Sequence, residues 1–321
     1  MKTENITIIG LDRTGISAGL ALKAAGMTVT IAGHDADGSQ MQRALEMGAI
    51  DMMQERLGLA AAEADILILS LSAEQVENTL AAIAPSVRGH AVILDLSPLK
   101  ARSQELAEQH LTQGHFVGAR LVLAAPALDD SLRGPAGASA DLFQNSLICL
   151  MPSPRAEPKA VDTAVTLGSL LGAKPFFLDA GEYDSLVKGV ETLPGLVAAA
   201  MFRAVTRSQG WRDMLRFAGL PFAVGTAALQ DNSEIAVLAL HDRDATLRWL
   251  DAVLHELHEI QQWVYEQDPE QLSAYLQQLH ADRQRWLGRR AENEWEESVA
   301  PDIKPIGMRD RIFGYRGESD N

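Results

Sequence analysis

Two glycines bracket the first segment able to do chemistry, Gly10-Leu11-Asp12-Arg13-Thr14-Gly15. Glycines at this spacing let a chain turn sharply out of a strand and pack the next helix closely. The helix N-terminus then turns free N–H groups towards an anion such as a pyrophosphate. Where the G-x-G-x-x-G pattern has its middle glycine the chain has Asp12, a Cβ and a negative charge where backbone would approach phosphate. Asp12 could tilt a pyrophosphate away or bond a backbone N–H as a cap. About 20 residues beyond the last glycine, Asp35 is placed to bond ribose hydroxyls and repel a 2′-phosphate, or to close a turn with Asp37. Ser70, Ser72 and Ser97 end strand candidates, where they could contact cofactor or cap the following helices. These residues, with Arg13 and Thr14, are the candidate cofactor contacts. Lys100 either closes the site electrostatically or is solvated. Arg212 and Arg216 lie four apart in a helical stretch, and guanidinium forks suit carboxylates or nearby acids such as Asp213. His255 and His258 lack a third ligand at suitable spacing, so no metal is expected.

The elements that must hold these groups alternate in the first half. Strand candidates are 6–9, 28–32, 66–70, 91–95, 115–123, 147–151 and 175–178; helix candidates are 14–25, 38–47, 73–83, 101–111 and 156–171. Such alternation predicts an α/β fold, a doubly wound, mostly parallel Rossmann-type sheet covered by helices. After Asp179 the period changes. Leu186, Val190, Leu193, Val197 and Met201 share one helical face, with a kink expected at Pro194, and Leu247, Leu250, Leu254, Leu257 and Val264 share another. The expected domains are 1–179 for dinucleotide binding and 180–292 for an all-α dimerisation unit. Residues 293–321 read as an extended tail in which Ile312, Phe313 and Tyr315 could dock.

Composition narrows the function classes. The 321 residues are 47% hydrophobic, ample for real cores, and carry a net charge of −15. That charge argues against nucleic acid and anionic membrane as partners, and leaves a small carboxylate open. No run of 18 apolar residues is free of charge, so no membrane span is expected. The single cysteine, Cys149, sits in an apolar run and is expected to be buried and inert, consistent with a cytoplasmic location.

Several longer stretches carry a resemblance. Residues 43–51 (Arg-Ala-Leu-Glu-Met-Gly-Ala-Ile-Asp), Ala140 to Phe143 leading to Met151-Pro152, and Leu170 to Ala173 are the first of these. Asp184, Leu193-Pro194, and Gly210 to Asp213 with Arg216 complete the set. Across most of residues 5–290 the chain resembles the prephenate/arogenate dehydrogenase family of tyrosine biosynthesis. The resemblance implies a Rossmann domain followed by a helical dimerisation domain, and hence a homodimer. It implies hydride transfer from a cyclohexadienol carbon to NAD, or less readily NADP, with decarboxylation aromatising the ring.

The departures concern the family's reacting groups. Its Gly-x-His-Pro segment reads Gly118-Ala119-Arg120-Leu121, and the serine of its Asp-x-x-Ser-x-Lys segment reads Pro98. Its Ser-His-Leu-Pro-His segment reads Glu191-Thr192-Leu193-Pro194-Gly195, and the His-Asp opening that helix reads Tyr183-Asp184. Arg216 and Asp213 match, so with Thr192 they are the candidate substrate contacts. Arg120 stays protonated at neutral pH and cannot be a general base. It could stabilise an oxyanion or grip a carboxylate, with Tyr183, Glu191 or Lys188 as base. Three readings stay open: a divergent dehydrogenase of this type, a nicotinamide-dependent dehydrogenase or reductase with another substrate, and a non-catalytic nucleotide-binding sensor or partner protein.

Overall fold

A computed structural model describes residues 5–129, 135–229 and 232–295 of the chain. The alternation is realised as β1 (Asn5–Ile9), α1 (Arg13–Ala24), β2 (Thr30–His34), α2 (Gly38–Glu46), β3 (Met52–Met53), α3 (Leu57–Glu63) and β4 (Ile66–Leu69). It continues with α4 (Gln75–Ile83), β5 (Val92–Asp95), α5 (Lys100–His110), β6 (His115–Val122), β7 (Ser146–Pro152), α6 (Pro158–Leu170) and β8 (Ala173–Phe177). One sheet joins the strands in the order β3-β2-β1-β4-β5-β6-β7-β8. Pairing is parallel throughout except between β6 and β7. This is the Rossmann-type doubly wound sheet, and its winding reverses between β1 and β4, where α/β sheets open a crevice at the strands' carboxyl ends.

Strands covered on both faces are expected to be apolar without alternation, and β4 and β5 are buried along their whole length. β3 and α3 carry no sequence signal, because two exposed methionines and seven residues are too short to establish a period. Most of the expected tail, including Ile312, Phe313 and Tyr315, lies outside the described residues.

Beyond β8 come α7 (Ala180–Val187), a π turn (Lys188–Thr192), α8 (Leu193–Thr206), α9 (Trp211–Met214), α10 (Leu220–Gly225), α11 (Asn232–His241), α12 (Arg243–Glu266) and α13 (Pro269–Ala291). The kink expected at Pro194 takes the form of that π turn. Proline has no N–H to continue the ladder. Just before it the ladder widens, and the Leu193 N–H bonds the Lys188 carbonyl five residues back.

Hydrogen bonds fasten the helical unit to the sheet unit at several places. The Asp184 carboxylate on α7 accepts the N–H groups of Lys100 (2.8 Å) and Ala101 (2.9 Å). It thereby caps α5, whose own N-cap residue, Leu99, contributes no side-chain bond. At the far end, Arg290 of α13 donates to the Leu123 carbonyl after β6. Much apolar surface stays uncovered, including Val190, Phe217, Leu240, Leu254, Leu257 and Val264. The stretch Ala180–Thr206 is long and apolar enough, by length and composition alone, to cross a membrane. It nevertheless carries Asp184 and Lys188 buried against protein.

Candidate active site

The glycine turn is built as its residue types require. Gly10 has φ +91°, and a Cβ there would stand 1.9 Å from the Ser70 carbonyl oxygen. A Cβ on Gly15 would stand 2.1 Å from the Gly10 carbonyl oxygen. Only glycine permits both approaches, which draw β1, α1 and β4 together at the crevice.

A cleft of about 740 Å³ opens there, within the size range of small-molecule sites. Gly10, Asp12, Thr14, Asp35, Ser70 and Ser72 line it, and Arg120 stands in the same wall with Glu234 from α11. Asp12 is the side-chain cap of α1: its carboxylate accepts the Gly15 N–H at 2.8 Å and the Ser70 hydroxyl at 2.7 Å. The cleft walls partly desolvate Asp12 and raise its carboxyl above the ordinary value, although both bonds oppose the shift. Asp35 accepts N–H groups from Leu11 (2.7 Å) and Asp37 (2.8 Å), so it closes the turn and lines the cleft at once.

Some candidates lie elsewhere. Ser97 is fully buried; its hydroxyl donates to Asp95 at 2.8 Å and meets the Ser103 hydroxyl at 2.9 Å, which leaves nothing for a cofactor or a cap. Arg13 is turned off the main cleft, with Nε donating to the Gly137 carbonyl. It lines a smaller pocket of about 130 Å³ with Thr14, Leu96, Arg120 and Phe143. Lys100 is not solvated: its Nζ donates to the Asp95 carbonyl (2.7 Å) and carboxylate (2.9 Å), with both side chains fully buried. Burial pulls the Lys100 pKa below its ordinary value, against the attraction of Asp95.

In the cleft wall the tertiary structure joins Arg120 on β6 to Glu191 in the π turn, which does not itself line the cleft, Nη2 to Oε2 at 2.9 Å. Burial would lower the Arg120 pKa, but Glu191 and Tyr183 more than reverse this and hold the guanidinium above its ordinary value. The proposed bases separate clearly. Tyr183 packs with Cys149, Met151 and Ala180, and burial drives its hydroxyl pKa upward, away from base function. Lys188 is buried, and its Nζ donates to the Leu238 carbonyl, away from the cleft. Thr192 is buried within the helix packing and lines no cleft. Glu191 alone among the proposed bases stays half-exposed beside Arg120.

Arg216 and Asp213 form an exposed pair at 3.9 Å and do not reach the cleft of their own chain. Cys149 is buried, and burial pushes its thiol up to about 12, as an inert thiol requires. No metal-binding cluster of His, Cys, Asp or Glu occurs among the described residues. Sequence reasoning missed Glu234, Gln75, Asn78 and Thr79 in the cleft wall. Nothing local marks them, since they are surface residues of α4 and α11.

Comparison with known proteins accords with this architecture. Residues 18–176 match the family profile "Prephenate dehydrogenase, nucleotide-binding domain", and residues 179–278 match "Prephenate dehydrogenase, dimerization domain". The glycine turn with Asp12 precedes the matched range. The chain is 26% identical over 285 residues to a prephenate dehydrogenase of Bacillus subtilis, covering 85% of this chain and 73% of that protein. It is 22% identical over 288 residues to a cyclohexadienyl dehydrogenase of Zymomonas mobilis, covering 87% and 95%. A crystal structure of prephenate dehydrogenase from A. aeolicus, in complex with hydroxyphenyl propionate and NAD+, superposes with a TM-score of 0.78. It is 18% identical and covers 89% of this chain and 99% of that one, a likeness of fold. With both domain profiles matched in order across the sheet unit and the helical unit, the chain belongs to the prephenate dehydrogenase family.

Proposed function

We propose that the chain is a divergent nicotinamide-dependent oxidoreductase that oxidises a carboxylated cyclic alcohol of the prephenate or arogenate type. The observation that carries this reading is Arg120 in the wall of the cleft, paired with Glu191 at 2.9 Å; the resemblance implies that Arg120 stands where the family has its reacting histidine. The cleft suits a dinucleotide at its ribose end, where the Asp35 carboxylate stands beside the glycine turn. Gly10, Thr14, Gly15, Asp35, Ser70 and Ser72 would hold the cofactor. Bound there, the nicotinamide supplies the hydride acceptor. Glu191 takes the proton of the reacting hydroxyl, and Arg120 holds a substrate carboxylate or the developing oxyanion. The hydride leaves the alcohol carbon and the proton leaves its oxygen; the electron pair of the breaking C–CO₂ bond then flows to that oxygen, making the ring aromatic as a phenolate that takes up a proton. A carboxylate is an intrinsically weaker base than imidazole, so turnover is expected to be slow relative to a histidine-based site.

Asp35 makes NAD the preferred cofactor over NADP, because its charge opposes a 2′-phosphate. Asp35→Ser is expected to narrow the NAD/NADP preference about tenfold, read as the ratio of dissociation constants. An unchanged ratio would remove Asp35 from this role. The helical unit is proposed to form a homodimer, because Leu254, Leu257 and Val264 on α12 continue an apolar stripe left exposed among the described residues. Arg216, matched to the family's carboxylate-binding arginine, would reach a substrate only if a second copy presented it. The test is sedimentation of the purified chain, followed by prephenate and arogenate turnover with NAD+ and NADP+. A dimer that oxidises either compound supports the reading. Nucleotide binding without turnover of either would favour the non-catalytic reading, which the burial of Tyr183 and Lys188 inside the protein also supports.

A further inference from the structure

We propose that Asp12 is an internal competitor of the dinucleotide's pyrophosphate, holding the N-terminal N–H groups of α1 that the pyrophosphate would otherwise take. The inference rests on the nucleotide-binding reading above. Its geometry is specific to this chain. The Asp12 carboxylate stands at the mouth of the glycine turn, accepts the Gly15 N–H and is pinned from β4 by the Ser70 hydroxyl. A helix N-terminus attracts an anion because its first N–H groups lack helical partners; a carboxylate already bonded there satisfies one of them and supplies the charge.

The surroundings strengthen the conflict. Asp35 and Asp37 at the end of β2 and Glu74 ahead of α4 line the same cleft, as does His34. Arg13 on α1 is directed to the Gly137 carbonyl, and Arg120 in the cleft wall is paired with Glu191. A pyrophosphate entering this cleft meets like charge at the position where the glycine pattern would give it bare backbone. Either the carboxylate yields its N–H groups or it takes up a proton as the anion arrives. Desolvation by the cleft walls already biases Asp12 towards the protonated form.

Calorimetric titration of the full chain with NAD+ and NADH tests this, using wild type, Asp12→Asn and Asp12→Gly. Asparagine keeps a capping oxygen and removes the charge; glycine restores the bare turn. Both variants are expected to bind the dinucleotide about tenfold more tightly. Wild-type affinity is expected to rise as the pH falls towards the raised pKa of the Asp12 carboxyl, with a flatter profile in Asp12→Asn. His34 and the other cleft acids are common to both proteins, so the difference isolates Asp12. Binding seen only in the variants would be the strongest form of support. Equal affinities and equal pH profiles in all three proteins would overturn the inference and leave the nucleotide reading standing. Absence of binding in all three, with melting curves showing folded protein, would remove both. A role confined to capping α1 predicts a lower melting temperature for Asp12→Gly with unchanged affinity for Asp12→Asn, which also overturns it.

Discussion

Lys100→Met is expected to destabilise the protein by about 3–5 kcal/mol, the usual consequence of leaving a buried charge without its partner. Asp95 at the end of β5 and Lys100 at the start of α5 are both fully buried, joined at 2.9 Å. The Ser97 N–H and hydroxyl bond the same carboxylate. Methionine matches the lysine stem in length but leaves the buried Asp95 carboxyl without its cation, with two donors to it where there were three. The pair itself contributes little net stability, because desolvating both ions offsets most of their attraction. Asp95→Asn/Lys100→Met is therefore expected to recover more than half of the loss, since asparagine still pairs with Ser97 and no charge stays buried. Urea unfolding monitored by circular dichroism reads both variants. A loss below about 1 kcal/mol for Lys100→Met would mean that water or a rearranged neighbour satisfies Asp95.

Arg120→Ala is expected to lower kcat/KM for the active substrate by about 10²- to 10³-fold, the scale of losing one charged group aimed at developing negative charge. The effect on stability is expected to stay near or below about 1 kcal/mol, because the Arg120–Glu191 pair is about one-third exposed on each side and solvent screens it. That contrast separates a chemical role from a structural one. Arg120→Lys is expected to recover only part of the activity, since an ammonium lacks the guanidinium's bidentate fork. Glu191→Gln keeps a hydrogen bond to Arg120 and is expected to lower kcat more than it raises KM, as loss of a proton acceptor requires. Arg120→Ala with kcat/KM within threefold of wild type would place the substrate anchor elsewhere.

Much of the framework was legible because it is written in local patterns. The Ile6–Ile9 run and the apolar segments at 66–69 and 92–95 mark buried strands. The glycine turn locates the crevice, and the change of period after Asp179 marks the start of the helices. The resemblance named the right family, and it also showed which reacting histidines this chain lacks. Local pattern could not tell what each polar side chain would meet. Ser72 and Ser97 read alike as serines at strand ends, yet Ser72 lines the cleft and Ser97 is consumed by Asp95 and Ser103. Tyr183, Lys188 and Glu191 read alike as bases within nine residues of helix. Packing leaves Tyr183 and Lys188 buried and Glu191, in the wider turn Lys188–Thr192, half-exposed beside Arg120.

The sequence by itself therefore determined most of the element types, the sheet class, the family and the place of the nucleotide crevice, since helix and strand periods, caps and tight turns depend on neighbours a few residues away. Only the tertiary structure decided the site. The Asp12–Ser70 bond spans 58 positions, the Arg120–Glu191 pair 71, and the Asp184 cap on α5 84. Contacts at such separations are set by how the sheet winds and how the helical unit docks on it, and no local propensity encodes which charges that packing brings together or seals from water.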